Sequence, residues 1–145
     1  MPFFPKIDEV TTKKNAKNIL KGYHRWQRVA NDVNGQKVTT TYSFTPRNPS
    51  TVNNSQVEKL AIRKADAELE LDAIEQAVSN LHNPYYRRIL FEKYLKNIPE
   101  KDFTIYHNLA ISESLYYDLL DKALIAFAEL YRNGEQLAIF GENLE

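Results

Sequence analysis

The chain has 145 residues, of which 43% are hydrophobic, so it is large and apolar enough to fold as one domain, or as one domain with an arm. Its 19 Lys and Arg residues balance 19 Asp and Glu residues, which excludes a protein that is basic over its whole surface. The absence of cysteine excludes disulfides, thiolate metal sites and a cysteine nucleophile.

The first predicted element is a basic amphipathic helix over residues 12–32. Residues 1–56 carry a formal charge of +6, against −6 for residues 57–145. On a helical wheel the basic and apolar side chains of the helix fall on opposite arcs. The basic arc holds Lys13, Lys14, Lys17, Lys21, His24, Arg25 and Arg28, and the apolar side holds Ala16, Ile19, Tyr23, Trp26 and Ala30.

Three interpretations of this basic helix stay open. It is typical of a solvated surface helix whose Trp26 packs into the core. It is also typical of a helix laid along a phosphate backbone, where each neutralised phosphate releases a counterion and strengthens binding. A basic helix with a tryptophan can equally lie on an anionic membrane surface. The position of Trp26 on the apolar side does not separate these interpretations.

The next predicted elements are a strand and a linker. Residues 37–45 alternate in a β-branched and aromatic pattern that predicts a single strand, and residues 46–55 are rich in Pro, Asn and Ser, which predicts a linker. A lone strand forms an extended arm or pairs with a strand of another chain, and we favour the arm. The predicted domains are residues 1–56, a basic helix with an arm, and residues 57–145, a helical domain.

A long helix is predicted over residues 54–82. Its apolar or small positions follow a three-and-four spacing: Val57, Leu60, Ala67, Leu71, Ile74, Val78 and Leu81. At 1.5 Å per residue it would be about 43 Å long, too long for both ends to lie against one small core. Its first half either packs against the basic helix or pairs with a second copy as a short coiled coil. Lys64 interrupts the seam and favours packing within the chain.

Three further helices complete a mainly α-helical bundle. Asn83 and Pro84 predict the start of a central helix that reaches residue 96, with Tyr86, Ile89, Leu90, Phe91, Tyr94 and Leu95 as its apolar residues. A short helix follows over residues 100–109, and Ser112 caps a last helix that reaches residue 132 and is ended by Gly134. The expected inward residues of this last helix are Leu115, Tyr116, Leu119, Ala123, Phe127 and Leu130. The tail, residues 135–145, either folds back or meets a partner through Leu137, Ile139 and Phe140.

A short helix, a three-residue turn and a serine-capped second helix are typical of a helix-turn-helix, whose second helix enters the major groove of DNA. The candidate reading residues are Ser112, Glu113, Ser114, Tyr117, Asp118 and Lys122, with Asp121 beside them. The acidic residues would repel phosphate. Ser114 and Tyr117 can donate hydrogen bonds, and Glu113 or Asp118 can accept one from a cytosine amino group. The candidate phosphate contacts are Lys14, Lys17, Lys21, Arg25, Arg28 and Lys101.

The residues around this turn carry a family resemblance. The set Leu109, Ile111, Ser112, Tyr116, Ala123 and Leu124 resembles the helix-turn-helix of region four of bacterial sigma factors. Together with Ile105, Tyr106, Ser114, Tyr117, Leu119, Phe127 and Ala128, it is similar to the ArpU-type phage transcriptional regulators. The similarity extends forward through Arg25-Trp26, Thr41–Ser43 and residues 74–81. It implies a non-enzymatic, sequence-specific DNA-binding regulator of late operons for packaging and lysis, associated by name with autolysin control, that acts with the host RNA polymerase.

The turn departs from the sigma-like pattern in three places. Ala110 occupies the position that often holds glycine, where a left-handed conformation would cost on the order of 1 kcal/mol. Tyr106 occupies a close-packed position that favours alanine and would hold the helices further apart. Asp118 and Asp121 stand where basic or polar readers are common. These departures favour a division in which the basic helix supplies affinity and the weakly charged helix supplies selectivity.

The sequence favours two functions. The first is a regulator that binds double-stranded DNA and host RNA polymerase, either as a monomer or as a homodimer. The second is an interaction or assembly factor that docks on polymerase or a phage protein without reading DNA. An enzyme is the least favoured class, because His24, His82 and His107 lack catalytic or metal-ligand spacing, so we expect no cofactor, metal or small-molecule substrate. With no apolar run of about 20 residues, we expect no membrane partner and a location in the cytoplasm of a bacterial host cell.

Overall fold

The computed structural model describes residues 6–31 and 50–139, with residues 50–54 described by their backbone alone. This part of the chain is mainly α-helical, which confirms the predicted fold class. The helices are α1 (Glu9–Lys21), α2 (Tyr23–Ala30), α3 (Ser50–Ser79), α4 (Pro84–Leu90), α5 (Asp102–Leu109) and α6 (Glu113–Leu130). A π-helical turn (Phe91–Leu95) continues α4, and a 3₁₀ turn (Tyr131–Gly134) follows α6. The predicted strand at residues 37–45 lies outside the described residues.

The chain forms two compact units. One is drawn from Met1–Tyr23 and Ala73–Glu145, and the other is His24–Asp72. In the first unit α1 packs against α6 and buries Ala16 and Leu20, so the basic N-terminal helix belongs with the C-terminal helices. These units divide the chain after residues 23 and 72, and the predicted domains, residues 1–56 and 57–145, stay a prediction.

The basic region forms two helices, so the prediction of one continuous helix over residues 12–32 is wrong. The first begins earlier than predicted because the Asp8 carboxylate caps it, accepting from a backbone N–H of the first turn at 3.3 Å. Gly22 interrupts the helix, because glycine is a poor helix former. Its N–H donates to the carbonyl of Ile19, three residues earlier, at 3.1 Å. Burial confirms three residues of the predicted apolar side: Ala16, Tyr23 and Ala30.

The long helix α3 begins at Ser50, so the predicted linker is wrong for residues 50–55. Each residue added to an existing helix gains one hydrogen bond, which lets polar residues of weak propensity extend it. The predicted apolar residues of α3 differ in their exposure along the helix. Val57 and Leu60 are 49% and 45% exposed, whereas Ala67 and Ile74 are completely buried. The two predicted arrangements of the first half of α3, packing within the chain and a coiled coil, stay predictions.

The predicted cap and central position of α4 are confirmed. The Asn83 carboxamide oxygen accepts from the Tyr85 N–H at 2.8 Å, and Pro84 occupies the first turn. Four of the predicted apolar residues are buried: Ile89, Leu90, Tyr94 and Leu95. Phe91, expected inward, is 48% exposed. It begins the π-helical turn, whose wider winding rotates the side chains away from the α-helical spacing that the prediction assumed.

The buried face of α6 differs from the predicted one. Leu115 and Leu130, expected inward, are 44% and 43% exposed, so their predicted positions are wrong. The buried residues are Tyr116, Leu120, Ala123, Leu124, Phe127 and Ala128. Both α1 and α4 pack against α6, and a helix that is contacted from two sides buries a wider and rotated stripe.

The tail folds back onto the start of α1, which was one of the two predicted alternatives. Ile7 and Ile139 form an antiparallel bridge, and the Asp8 N–H donates to the Ala138 carbonyl at 2.8 Å. The reversal occurs after α6, in the 3₁₀ turn, where three successive residues have positive φ: Arg132, Asn133 and Gly134. Phe140 lies outside the described residues.

Candidate nucleic-acid interface

The turn between α5 and α6 combines a left-handed residue with a serine cap. Ala110 has φ 59° and ψ 42°, a left-handed conformation that carries a steric cost for a residue with a Cβ. The Ile111 N–H returns to the Tyr106 carbonyl at 3.2 Å, which closes the end of α5. Ser112 Oγ accepts from the Leu115 N–H at 3.1 Å and starts α6. The predicted three-residue turn is confirmed, although α5 begins at residue 102 rather than at residue 100.

We predict that Ala110→Gly stabilises the protein by up to about 1 kcal/mol, because glycine adopts the left-handed conformation without the steric cost of a Cβ. Chemical denaturation followed by circular dichroism would measure the change. Ala126→Gly, inside α6, is the matched control and should destabilise the protein by about 1 kcal/mol. Equal losses in the two variants would contradict the strain assigned to Ala110.

The Asp102 carboxylate joins three elements next to this turn. Its Oδ1 accepts from Lys93 Nζ of the π-helical turn at 2.6 Å and from the Tyr116 hydroxyl of α6 at 2.5 Å. Its Oδ2 accepts a longer bond, 3.4 Å, from the Tyr117 hydroxyl. Asp102 therefore ties the start of α5 to the first turns of α6 and to the helix before it. No local sequence pattern signals this contact, because its partners lie on three different elements.

Charge and burial act in opposite directions on the Asp102 cluster. Burial alone would raise the pKa of Asp102, but hydrogen bonds from Lys93 and Tyr116 outweigh it and hold that pKa below its ordinary value. Burial and the bond to Asp102 raise the pKa of Tyr116. Burial and the negative charge of Asp102 raise the pKa of Tyr94 to about 12. The carboxylate is therefore ionised and both phenols are protonated at neutral pH.

We predict that Asp102→Asn destabilises the protein by about 2 kcal/mol at pH 7, since it removes charge-assisted hydrogen bonds. A carboxyl group with a lowered folded pKa stabilises the fold above its unfolded pKa of about 4 and loses this contribution as the pH falls through the folded value. The difference between wild type and variant should therefore shrink on acidification. Urea denaturation from pH 7 to pH 2 would measure it, with the exposed Asp72→Asn as control. A difference that is independent of pH would contradict the prediction.

Tyr106 fills the contact between α5 and α6. Its ring lies 5.4 Å from the ring of Tyr116 and meets Phe103 edge-on at 5.5 Å, both measured between centroids. Tyr106 is partly buried, so a large side chain occupies the position where the sigma-like pattern favours alanine. Aromatic contacts of this kind stabilise the pair of helices beyond the area that they bury.

The predicted reading residues form an exposed face at the start of α6. Glu113, Ser114, Tyr117, Asp118 and Lys122 are exposed, and the exposed Ser112 caps the helix. From the sequence, the acidic side chains of this face were expected to repel phosphate. Two of them form ion pairs with lysine side chains. Asp118 pairs with Lys122 at 3.2 Å, and Asp121 pairs with Lys13 of α1 at 3.4 Å. Local repulsion of phosphate is therefore weaker than the sequence of α6 alone indicates.

The predicted phosphate contacts are all exposed, and they divide between the two units. Lys14, Lys17 and Lys21 of α1, and Lys101 just before α5, belong to the compact unit that contains α6. Arg25 and Arg28 lie on α2 and belong to the other unit. The first unit thus contains four of the six predicted phosphate contacts together with the exposed face of α6, whereas Lys13 is partly buried and pairs with Asp121.

The described residues offer little chemistry of other kinds. Within residues 6–31 and 50–139, no three or more His, Cys, Asp or Glu side chains gather in a way that could hold a metal ion. No helix in the same ranges is both long and apolar enough to span a membrane. His107 is exposed and stacks on Phe103 at 5.6 Å between ring centroids, as a surface residue does. A non-enzymatic role stays a prediction.

Comparison with known proteins identifies the family. The chain is 46% identical over 131 residues to a protein of Streptococcus phage O1205 named as the autolysin regulatory protein ArpU, and the match covers 90% of this chain and 94% of that one. The chain belongs to the ArpU family. Protein Gp66 of Listeria phage A118 is 30% identical over 135 residues, which are 88% of this chain and 90% of Gp66. An Enterococcus hirae protein named ArpU is 28% identical over 142 residues, 95% of this chain and 98% of the relative. No protein-family model and no solved structure matches the chain.

Membership in the ArpU family confirms one part of the resemblance. Two relatives, one from a phage and one from Enterococcus hirae, are named as autolysin regulatory proteins. Their names mention neither DNA nor polymerase. The likeness of the ArpU-family turn to sigma region four, and the binding of DNA, therefore stay predictions.

Proposed function

We propose that this ArpU-family chain is a sequence-specific DNA-binding regulator of phage late genes for packaging and lysis, acting with the host RNA polymerase in the bacterial cytoplasm. The observation that carries the proposal is the exposed, serine-capped face of α6, which follows the turn at Ala110 and shares a compact unit with the exposed lysines of α1. The regulatory names of the phage and Enterococcus relatives support a role connected with lysis.

Affinity comes from lysines that lie outside the reading helix. Lys14, Lys17 and Lys21 lie along one exposed side of α1, and Lys101 stands directly before α5. Each phosphate that such a side chain neutralises releases a counterion, which gives sequence-independent, salt-sensitive binding. These contacts place the protein on the duplex and carry no information about the bases.

Selectivity comes from the hydrogen-bond acceptors of the α6 face. Glu113 is acceptor-only, and Tyr117 donates its hydroxyl proton towards Asp102, which leaves its oxygen as an acceptor. Lys122, the cation of this face, pairs with Asp118. In the major groove, acceptors match the amino groups of cytosine and adenine, whereas guanine presents acceptors of its own. Glu113 and Tyr117 therefore favour amino-bearing base edges, whereas the Ser114 hydroxyl can either donate or accept.

The test begins with selection from random DNA and with gel-shift titration of promoter-proximal late-operon DNA. Within a bound site, 2-pyrimidinone in place of cytosine and purine in place of adenine remove single amino groups. We expect a loss of about fivefold or more at each contacted base, since such contacts contribute about 1–3 kcal/mol. Replacing guanine with 7-deazaguanine removes a guanine acceptor and should change little. The absence of sequence-dependent binding at low salt would contradict the proposed function.

An interaction or assembly factor is the second candidate function. Ile98 and Phe103, beside the start of α5, are 80% and 63% exposed, and large exposed apolar side chains favour protein contacts. Such a factor would dock on polymerase or a phage protein without reading DNA. A stoichiometric partner that co-purifies after nuclease treatment, from a chain that binds no DNA, would support it. Measurement of the mass in solution would decide whether the chain acts as a homodimer.

A further inference from the structure

The four tail residues 136–139, here called the tail strap, lie along the start of α1. Ile139 pairs with Ile7 in an antiparallel bridge. The Ala138 carbonyl accepts from the Asp8 N–H at 2.8 Å. The tail strap therefore connects the last described residues of the chain to the residues just before α1, within the first unit.

Two polar side chains of α1 extend the connection to the tail strap. Thr12 is completely buried; its hydroxyl oxygen accepts from the Ala138 N–H at 2.9 Å and lies 3.5 Å from the Ala138 carbonyl, to which it donates. One turn later, Asn15 Nδ2 donates to the Gln136 carbonyl at 3.1 Å. Hydrogen bonds are directional, so these contacts determine where α1 lies along its axis.

The other contacts of α1 determine its axial position only weakly. Ala16 and Leu20 are its remaining buried side chains, and apolar contact is non-directional. The Lys13–Asp121 pair is half exposed on its acidic side, and exposed ion pairs stabilise little. A slip of one helical turn would move each side chain by about 5.4 Å. This shift exceeds the length of a hydrogen bond, about 3 Å, so the lysines could no longer meet phosphates while α6 reads the bases of the same site.

We propose that Thr12 is a positioning residue for DNA binding. By holding the tail strap, it keeps α1 in the register at which Lys14, Lys17 and Lys21 meet phosphates while α6 reads the groove. Thr12 lies on the buried side of α1, opposite the three lysines, and does not touch DNA. The inference rests on the proposed function. It adds that Thr12 keeps the phosphate contacts of α1 in register with the base contacts of α6.

The test compares Thr12→Val, which keeps the shape but loses both hydrogen bonds, with Thr12→Ser, which keeps the hydroxyl. The DNA probes are a duplex enriched from a random library by the wild-type chain and its scrambled counterpart. We expect Thr12→Val to lose about tenfold in affinity for the enriched duplex. Affinity for the scrambled duplex should not change, because non-specific binding depends on charge rather than register. Thr12→Ser should behave as wild type.

A disulfide gives a second, reversible test. The chain has no cysteine, and the residues of an antiparallel bridge have Cα atoms about 4.5–5.5 Å apart, within the range of a disulfide. Ile7→Cys with Ile139→Cys, added to Thr12→Val, should restore the ratio of enriched to scrambled binding when oxidised and lose it when reduced. If Thr12→Val does not fold, the partly exposed Asn15→Ala replaces it, with the same expected loss of ratio.

The outcomes separate the two proposals. A wild-type chain that enriches no sequence would overturn the proposed function and this inference with it. A wild-type chain that binds specifically, together with an unchanged ratio in Thr12→Val, would overturn the inference alone. Equal losses on both duplexes would also overturn it, because they would show that Thr12 contributes only to folding.

Discussion

Replacing Phe127 with alanine should lower the free energy of unfolding by about 3–5 kcal/mol. Phe127 is completely buried in α6, and its ring stacks on Tyr131 with 5.4 Å between centroids. Removing the ring loses its burial and leaves a cavity that close-packed neighbours fill only in part. Chemical denaturation would measure the loss, and the thermal midpoint should fall by on the order of 10 °C.

Leu130→Ala is the control for this prediction. Leu130 lies on the same helix and was expected from the sequence to point inward with Phe127, but it is 43% exposed. Much of its side chain already lies in water, so we expect a loss of about 1 kcal/mol or less. The two variants therefore distinguish the observed face of α6 from the predicted face. Similar losses at both positions would contradict the observed burial.

Local signals in the sequence predicted local structure correctly. Asn83 and Ser112 were expected to cap helices, and both side chains accept from the backbone of the first turn that follows. Ala110 stands at the turn position that often holds glycine, and it has the left-handed φ of 59°. These features depend on a few neighbouring residues, since a cap or a turn is completed within about four positions.

Features that depend on distant packing were predicted poorly. The exposure of Leu115 and Leu130 follows from the contacts of α1 and α4 with two sides of α6, which no periodicity within α6 reveals. Likewise, the exposure of Phe91 follows from a π-helical turn, which has no sequence signature of the kind that proline or glycine provides. Gly22, by contrast, is a signal in the sequence for the end of a helix. The prediction nevertheless treated the basic region as one helix, which Gly22 interrupts.

At the candidate site, too, local features were predicted correctly and contacts between distant residues were not. Exposure of the candidate reading residues Ser114, Tyr117 and Lys122 was predicted correctly, because helical spacing determines which side chains share a face. The Lys13–Asp121 and Asp102–Tyr116 contacts were not predicted, because each joins separate helices. Both contacts change the electrostatics of the exposed face of α6: one pairs Asp121 with Lys13, and the other places a charged carboxylate next to Tyr116 and Tyr117.

Replacing Lys14, Lys17 and Lys21 with glutamine should weaken DNA binding by on the order of a hundredfold at 0.1 M salt. All three side chains are exposed on α1, so glutamine should leave packing unchanged. If each lysine neutralises one phosphate, the slope of log affinity against log salt should become shallower by about 2.7. The loss should be nearly the same for enriched and scrambled DNA, since phosphate contacts do not read sequence. Fluorescence anisotropy across a salt series would measure both quantities.

The matched control changes the net charge equally at another place. Lys59, Arg63 and Lys64 lie on α3, in the other compact unit, and their replacement with glutamine also removes three positive charges. If α1 supplies the phosphate contacts, this control should keep most of the wild-type slope, because only charges that neutralise a phosphate release counterions from the DNA. An equal change of slope in both variants would show that overall charge, rather than the α1 face, determines affinity. An unchanged slope in the α1 variant would assign the phosphate contacts to other residues, with Arg25 and Arg28 the next to replace.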